Sequence, residues 1–315
     1  MIRGRREGLN REAPQKENVC GLIVTYYPDE DVQRRIMRIV DQVEHVMIVD
    51  NTSGVAVRLI LRELRQSKKI EVMENETNVG IASALNQGMQ WAIRRGYAWA
   101  LTLDQDSIPF DSMVDRFAEA YEEYKGRDRI AVIGSNYCDI GDDRQIRFGD
   151  DASKGRSCVE KTTVITSGCL VSVPVFRAIG PFRDEFFIDH VDHEYCLRAL
   201  SRGFKVILTP RLAMRHTIGK RVEGRLCGRK VLITSHSAER YYYKSRNHVT
   251  ITLEYLFKNP IWLAKLFCFK LRGIMLAVLC EEDRSAKVVS IFKGYRDGIR
   301  NHLKTRGACP RDTVV

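Results

Sequence analysis

The chain has 315 residues, of which 44% are hydrophobic, and it carries a formal net charge of +11. This length and apolar content are typical of a globular protein with one large domain, or with a domain and an appendage. Nine scattered cysteines without a C-x-x-C pair argue against a zinc or redox motif and favour reduced thiols in the cytosol.

The two ends of the chain differ in character. Residues 1–18 are polar and lack the apolar core of a signal peptide, so we expect a disordered lead on a cytoplasmic protein. The positive charge belongs to residues 201–315, where 24 Lys and Arg stand against 8 Asp and Glu, or +16, which leaves −5 for residues 1–200. Such a basic segment suits an anionic partner: a membrane surface, a phosphate group or a nucleic acid.

Strands and helices alternate in the first half of the chain. Apolar runs rich in β-branched residues predict strands at 19–27, 45–51 and 69–75, and a fourth strand ends near Asp104. Apolar residues at helical spacing predict helices between or after these strands. The three sets are Val32, Ile36, Ile39, Val40 and Val43; Ile81, Leu85, Met89 and Ile93; and Phe110, Met113, Val114, Phe117 and Tyr121. This alternation predicts an α/β fold with an open, mostly parallel central sheet flanked by helices.

Polar residues stand at or just after the ends of these strands, namely Thr25, Asp50, Asn75 and Asp104. Ligands of open parallel sheets bind beyond the carboxyl ends of the strands. We therefore expect these four residues to share one edge of the sheet and to form a site there.

The second half continues the pattern and then changes. Runs at 130–137, 163–173 and 205–216 predict later strands, and residues 192–203 predict a helix that ends at Gly203. These elements complete a main domain over residues 19–240.

A basic amphipathic helical region is predicted for residues 241–315. It is strongly apolar, but Pro260 breaks it and basic residues interrupt it, at Lys258, Lys265, Lys270 and Arg272. No uninterrupted apolar stretch reaches the roughly 20 residues of a spanning helix. Helices that lie in an anionic membrane interface fit this pattern, and packing on the main domain or a homodimer interface is the alternative.

Asp104 and Asp106 flank Gln105 where the fourth strand stops. A small hard cation such as Mg²⁺ takes one or two protein carboxylates and completes its shell with water and phosphate oxygens. At this edge of the sheet the cation would bind a diphosphate leaving group. A turn in which both aspartates cap the next helix explains the same residues, so the pattern alone leaves both interpretations open.

Nearby residues also favour the binding of a nucleotide diphosphate. Asp50 could accept hydrogen bonds from a nucleobase or ribose, and the loop at Asn78 could bring a helix N-terminus to the nucleotide. An Asx-turn at Asp50 and a helix cap at Asn78 are the alternatives. The motifs G-x-G-x-x-G and G-x-x-x-x-G-K-[ST] are both absent, so a dinucleotide oxidoreductase or a P-loop kinase has no direct support.

Six segments stand in order along the chain, namely "TYYP", "VDN", "NVGIASALNQG", "LTLDQDS", "TSGCLVSVPVFRAIGPFRDEFFIDHVDHEYCLR" and "RYYYKSRN". In order and spacing they resemble family 2 glycosyltransferases of the GT-A fold, most of all bacterial rhamnosyltransferases of cell-surface polysaccharide and O-antigen assembly. The resemblance covers about residues 19–250.

This resemblance implies roles for particular residues. Contacts to the nucleotide sugar are implied for Thr25, Tyr26, Asp50, Asn78, Gly80 and Asp104. Asp106 would hold Mg²⁺ or Mn²⁺ at the diphosphate, and His216 is a second candidate ligand because neutral imidazole binds such metals. A lone histidine after a strand is also commonly a satisfied polar residue.

The resemblance also implies a catalytic base. Relatives commonly have Glu-Asp where this chain has Val191 and Asp192, and the Asp of that pair is the base, so Asp192 takes the role here. A carboxylate must remove the proton of the acceptor hydroxyl, because an alcohol is a poor nucleophile at neutral pH. Asp189 and Glu194 stand close by in sequence and are candidates for acceptor contacts, and Asp192 could instead cap its helix.

Arg240 and Arg246 are candidates for binding phosphate or acceptor groups, since guanidinium groups suit phosphates; anchoring the C-terminal helices is their alternative.

We thus expect an inverting, metal-dependent transferase that moves L-rhamnose from dTDP-L-rhamnose to a lipid-linked glycan, peripherally bound at the inner face of a bacterial plasma membrane. Another nucleotide sugar as donor is the nearest alternative. A non-enzymatic nucleic-acid-binding protein would explain the basic C-terminal third but not four acidic residues, which repel phosphate, so we expect no nucleic-acid partner. A sugar nucleotidyltransferase would need a Gly-rich basic loop where "TYYPDED" stands.

Overall fold

The computed structural model describes residues 12–52, 55–139, 158–216, 221–226 and 229–307. Residues 1–11 of the predicted lead and residues 308–315 of the predicted C-terminal region lie outside the described part. Contacts divide the chain into two compact units, the first formed by Met1–Phe187 and Val191–Thr217, the second by Ile188–His190 and Ile218–Val315. The second unit therefore begins earlier than the change in composition at residue 241.

The strands of the described residues alternate with helices as the sequence predicts. The strands are β1 (Val19–Thr25), β2 (His45–Asp50), β3 (Ile70–Glu74), β4 (Trp99–Asp104), β5 (Ile108–Pro109), β6 (Ile130–Asp139), β7 (Val159–Glu160), β8 (Cys169–Ser172), β9 (Lys205–His216), β10 (Arg221–Leu226) and β11 (Arg229–Thr234). The helices are α1 (Val32–Val40), α2 (Val55–Leu64), α3 (Gly80–Arg95), α4 (Met113–Glu123), α5 (Val173–Ile179), α6 (Val191–Ser201), α7 (Ala238–Tyr255), α8 (Pro260–Cys280) and α9 (Arg284–Gly307).

The first unit is an α/β fold built on one curled, mixed sheet with strand order β3-β2-β1-β4-β8-β6-β9-β5, and β7 pairs with β9. β3, β2, β1 and β4 are parallel neighbours, so their carboxyl ends share one edge. β1, β2 and β4 are almost completely buried, as is typical of parallel strands that are covered on both faces. The predicted fold class and the shared edge of the strand ends are thus confirmed.

The segment at 163–173 differs from its prediction. Only Cys169–Ser172 forms a strand, and β8 runs antiparallel between β4 and β6. Gly168 has φ +72° and turns the chain just before β8, where its N–H donates to the carbonyl of Thr102 (2.8 Å). The residues before it therefore leave the sheet and contribute polar groups beside the end of β4.

Residues 12–18, which composition assigned to the disordered lead, also differ from their prediction. A short 3-10 turn spans Lys16–Asn18, and Nε1 of the buried Trp99 donates to the carbonyl of Glu12 (3.1 Å). A buried indole N–H needs an acceptor, and this segment supplies it.

α3 shows how one helix is bounded by glycines with left-handed backbone. Gly96 ends it with φ +77°, as the sequence predicts, and no atom stands within 4 Å of a Cβ added there. Gly80 begins it with φ +82°, and a Cβ there would meet the ring of Phe187 at 2.5 Å. Gly80 is required by packing and backbone conformation together, whereas Gly96 is required by backbone conformation alone.

The second unit contains the hairpin β10–β11 and the helices α7, α8 and α9. α7 and α9 pack closely because Gly294 and Gly298 of α9 lie against the backbone of α7, where a Cβ would collide with Tyr242 and Arg246. A buried ion pair between Lys287 and Glu281 (2.7 Å) links the start of α9 to the end of α8.

α8 buries only a few of its apolar side chains. Leu263, Leu266 and Ala277 are buried, whereas large apolar side chains on and before the helix are exposed, namely Leu256, Phe257, Ile261, Phe267, Phe269, Leu271, Met275 and Leu279. Among the described helices, none is both long enough and apolar enough to cross a bilayer.

Candidate active site

Asp50 lies at the end of β2 and is held by two hydroxyl groups. Thr25 and Thr52 donate to its Oδ1 at 2.6 and 3.0 Å, and Thr52 in turn accepts a hydrogen bond from the N–H of Tyr27 (2.7 Å). Burial raises the pKa of Asp50, and the hydrogen bonds from Thr25 and Thr52 oppose that rise. Thr25 is completely buried, so its side chain orients Asp50 instead of facing solvent.

Tyr26, at the end of β1, is tied to the turn after β4. Its N–H donates to Oε1 of Gln105 (2.7 Å), and its carbonyl accepts from Nε2 of the same amide (3.0 Å). Nε of Arg35 donates to the Gln105 carbonyl (2.7 Å). Tyr26 is 49% exposed at the sheet edge. Sequence reasoning treated Gln105 as a spacer and missed this function.

Asp104, Asp106 and His216 meet at the same edge. One oxygen of each carboxylate and one ring nitrogen lie within 4.8 Å of one another. Nδ1 of His216 is 3.3 Å from Oδ1 of Asp106, and Nε2 is 4.0 Å from Oδ2 of Asp104. His216 reaches this place because β9 ends there, beside β5 and β6.

The donor set fits a divalent cation. Oδ1 of Asp106 is buried and makes no hydrogen bond among the described residues, although Nδ1 of His216 lies 3.3 Å away. A buried carboxylate oxygen without a hydrogen bond needs a compensating charge. Two carboxylates and an imidazole suit Mn²⁺, and the carboxylates suit Mg²⁺.

Serine hydroxyl groups surround this cluster. Ser107 Oγ lies 3.0 Å from Nδ1 of His216 and 2.6 Å from Oγ of Ser167, and Ser167 Oγ accepts from the N–H of Asp104 (3.0 Å). The turn at Gly168 places Ser167 here. The pattern gave no sign of Ser167, because its partner is 63 residues away.

Asn78 and Gly80 stand at the start of α3. Asn78 is exposed, and its Oδ1 accepts from the N–H of Gly80 (2.9 Å). Asn51 Nδ2 donates to the carbonyl of Gly80 (3.2 Å), which links the start of α3 to the end of β2. The N–H of Ile81 donates to the carbonyl of Phe187 (2.7 Å). The start of the helix is thus held beside the strand ends.

Asp192 lies half-buried in the first turn of α6, where its Oδ1 accepts from the N–H of His193 (2.8 Å). Burial raises the pKa of the Cys169 thiol, and the charges of Cys196, Asp192 and Asp104 raise it further. Asp192 and Asp104 are therefore both within electrostatic range of one buried thiol at the start of β8.

Glu194 occupies a different environment. It is buried and paired with Arg198 of the same helix, with Nε and Nη2 each 3.0 Å from a carboxylate oxygen. Arg198 also donates to the carbonyls of Ile179 and Pro181. This network joins α6 to the end of α5 and engages both carboxylate oxygens of Glu194.

Asp189, Arg240 and Arg246 belong to the second unit. Arg240 Nε donates to Oδ2 of Asp189 (2.9 Å), and Arg246 donates to Oδ1 of Asn247 from Nε (3.1 Å) and Nη2 (3.0 Å). Burial raises the pKa of Asp189, but the charges of Lys244 and Arg240 outweigh it and leave that pKa below its usual range. Both arginines thus contact groups of their own unit.

Comparison with known proteins identifies the family. The family described as "Glycosyl transferase family 2" matches residues 22–179. The chain belongs to this family. The predicted glycosyltransferase activity is thereby confirmed.

Among curated proteins, this family 2 chain is similar to the dTDP-rhamnosyl transferase RfbF of Shigella flexneri. The two are 30% identical over 297 residues, which cover 90% of this chain and 96% of RfbF.

Solved structures of TarS from S. aureus share the fold. TarS 1–349 in complex with UDP matches with a TM-score of 0.52 and 13% identity, over 95% of this chain and 94% of that one. The complex with UDP-GlcNAc matches with a TM-score of 0.50 and 12% identity, over 92% and 74%. This chain covers 44% of the length of a longer TarS chain.

Proposed function

We propose that this glycosyltransferase moves L-rhamnose from dTDP-L-rhamnose to a hydroxyl of a lipid-linked glycan, with inversion at the anomeric carbon. The observation that carries the proposal is the similarity to RfbF over almost its whole length. The cluster of Asp104, Asp106 and His216 at the sheet edge supports metal-dependent departure of a nucleoside diphosphate.

The nucleotide is bound by the ends of β1 and β2 and the start of α3. Tyr26 offers an exposed ring for stacking on the base, and Asp50, oriented by Thr25 and Thr52, accepts hydrogen bonds from it. Asn78 and Gly80 close the nucleoside side of the site, and Asp104 faces the ribose. A nucleotide ligand is consistent with the UDP in the TarS complex.

Asp106 and His216, with Asp104, would hold the cation, and a divalent cation at this place supplies positive charge to the diphosphate as it departs. Ser107 and Ser167 fix the orientation of the imidazole and of the β4 end. Asp106 contributes most, because its buried Oδ1 has no other partner among the described residues.

Asp192 is the general base. It takes the proton of the acceptor hydroxyl while that oxygen bonds to the anomeric carbon, and the bond from that carbon to the diphosphate breaks with its electron pair. A single displacement of this kind inverts the anomeric configuration and needs no second carboxylate as nucleophile.

The C-terminal unit provides the attachment to an anionic membrane at its cytoplasmic face. The exposed apolar side chains of α8 stand among Lys265, Lys270 and Arg272, a combination that suits an interface of acyl chains and acidic headgroups. Attachment there would bring the enzyme to a lipid-linked acceptor. A homodimer that covers α8 is the competing arrangement.

A panel of nucleotide sugars tests the donor. The protein is incubated with Mn²⁺ or Mg²⁺, octyl glycosides as acceptors and each nucleotide sugar, and release of nucleoside diphosphate is measured. Release from dTDP-L-rhamnose alone is the expected result. Release only from another donor, such as the UDP-GlcNAc bound in a TarS structure, would replace the sugar in the proposal but keep the transferase.

A further inference from the structure

A cavity of about 680 Å³ lies in the first unit, where α1 packs against β5. This volume is typical of ligand-binding pockets. The lining combines guanidinium groups with two apolar side chains. Among the described residues it is formed by Arg34, Arg35 and Arg38 of α1, by Arg215 of β9, and by Ile108 and Phe110. The candidate active site described above does not use the positive charge of this lining.

Helix periodicity and strand pairing explain why these side chains meet. Arg34 and Arg38 are four residues apart on α1, so they lie one turn apart on the same face of the helix. Ile108 pairs with Arg215 between the antiparallel strands β5 and β9. Directly opposite residues project to the same face of a sheet, so this register brings Arg215 to the side of Ile108.

The cavity is separate from the carboxylate cluster at the strand ends. Successive residues of a strand point to opposite faces of the sheet, so Arg215 and His216 of β9 face opposite sides. Arg35 adjoins both places. Its Nε donates to the carbonyl of Gln105, between the two aspartates of the cluster (2.7 Å), and its side chain is only 11% exposed. The cavity therefore lies beside the turn of the cluster but on the other side of the sheet.

Exposed carboxylates pair with the arginines of α1. The pairs are Asp31 with Arg34 (3.3 Å), Asp111 with Arg38 (3.7 Å) and Asp29 with Arg35. The three carboxylates are 63%, 86% and 67% exposed, and ion pairs to such exposed groups contribute little to stability. An anion that engages several guanidinium groups at once can therefore replace these carboxylates at low cost.

We propose that this cavity binds a phosphate or diphosphate group. A guanidinium donates in a fixed fork that matches phosphate oxygens, and several of them around one anion supply both charge and direction. Ile108 and Phe110 are half-buried and offer apolar surface to the group that is esterified to the phosphate. A lipid headgroup and a free phosphate present the same chemistry to this cavity. The inference goes beyond the site for the nucleotide sugar and does not rest on it.

The test titrates the full chain with inorganic diphosphate in a calorimeter, at low salt. EDTA is present, so that no cation draws the anion to the carboxylate cluster. We expect a dissociation constant below about 1 mM that rises with salt. Arg38→Gln combined with Arg215→Gln should raise it by at least about 10-fold, because two charged donors are lost.

A matched control is Arg211→Gln, which removes the same charge from another exposed residue of β9. Arg211 pairs with Glu119 and is not among the residues that line the cavity. Its dissociation constant for diphosphate should stay within about twofold of the wild type, since exposed charges at a distance are screened. Thermal unfolding shows whether each variant is folded. Arg34→Gln, at a 75% exposed side chain, replaces the double variant if that one unfolds.

Titration with dTDP and Mn²⁺ separates this inference from the proposed function. The double variant should bind dTDP within about twofold of the wild type, because both of its changes lie across the sheet from the carboxylate cluster. An enzyme that fails to use dTDP-L-rhamnose would still bind diphosphate in the cavity. Conversely, a cavity that binds no diphosphate would leave the donor assay as it stands.

Geranyl diphosphate distinguishes the two sources of the phosphate, because it adds a short isoprenyl chain to the same anion. Binding at least about 10-fold tighter than inorganic diphosphate, with the gain lost in the double variant, would assign the cavity to a lipid headgroup. Equal affinity for the two compounds would assign it to a free phosphate. The proposal is overturned if neither compound binds, if the double variant binds them as the wild type does, or if Arg211→Gln weakens binding equally.

Discussion

Gln105 binds the backbone of Tyr26 as a neighbouring strand would, donating to its carbonyl and accepting from its N–H. These two bonds join the turn of the carboxylate pair to the end of β1. The amide between the two aspartates therefore connects the proposed cation end of the site to the proposed nucleotide end.

Gln105→Leu should weaken dTDP binding by about 10-fold. It removes two hydrogen bonds worth about 1 kcal/mol each, and the end of β1 then loses its fixed position. Calorimetric titration with dTDP measures the effect. Gln105→Glu, which can still accept from the N–H of Tyr26, should lose less. Unchanged dTDP affinity in Gln105→Leu would show that the two ends of the site are independent.

The two aspartates should differ in their effect on cation binding. Asp106→Asn should weaken Mn²⁺ binding by at least about 10-fold, and Asp104→Asn by less, because Oδ1 of Asp106 is the buried oxygen without a hydrogen bond. Titration followed by electron paramagnetic resonance, with and without dTDP, measures free Mn²⁺. Asp111→Asn, a change at an 86% exposed carboxylate, is the control. Equal losses at positions 104 and 106 would contradict the ranking.

Alanine substitutions at three glycines distinguish the cost of backbone strain from the cost of a steric collision. Gly96→Ala should cost about 1 kcal/mol of unfolding free energy for its left-handed φ, with no steric term. Gly80→Ala should cost clearly more, about 2 to 4 kcal/mol, because it adds a collision with Phe187. Gly273→Ala in exposed α8 should be neutral or stabilise by up to about 1 kcal/mol. Denaturant unfolding measures all three, and equal costs at Gly80 and Gly96 would remove the packing argument.

His236 should make the stability of the second unit depend on pH. Burial and the charges of Lys244 and Arg240 lower its pKa from 6.5 to about 4. The unfolded chain therefore binds more protons than the folded one between these values, and stability is lost as the pH falls from 6.5 towards 4, by at most about 1.4 kcal/mol per pH unit. His236→Gln should flatten this slope in denaturant unfolding. A slope that persists in the variant would assign the effect to other groups.

The apolar face of α8 should bind anionic vesicles. The full chain should float with vesicles rich in phosphatidylglycerol and less with neutral ones, and Phe267→Ser with Phe269→Ser should reduce flotation. Met37→Ser, at an exposed apolar residue of α1, is the control. Protein that stays at the bottom, with a mass that doubles on gel filtration as concentration rises, would favour the homodimer instead.

The sequence pattern was most informative where each residue's role depends on its near neighbours. Apolar runs that stop at polar residues located the ends of β1, β2 and β4, and Gly96 marked the end of α3, since both signals are local. The direction of β8 was beyond such reasoning, because it depends on the turn at Gly168 and on pairing with strands far away in sequence.

In the candidate site, too, contacts between residues far apart in sequence could not be predicted. Asp104 and Asp106 could be singled out from their spacing, but Ser167 could not, since its partner Asp104 is 63 residues away. The charge of Arg240 and Arg246 suits phosphate binding and the anchoring of helices equally, and charge alone does not indicate their contacts with Asp189 and Asn247.

The close crossing of α7 and α9 at Gly294 and Gly298 bears on protein engineering. The bare surface of α9 and the backbone of α7 are complementary as a pair, so neither helix can be exchanged alone. A chimaera that takes its C-terminal region from a relative should therefore transplant both helices together, with its junction before Ser237.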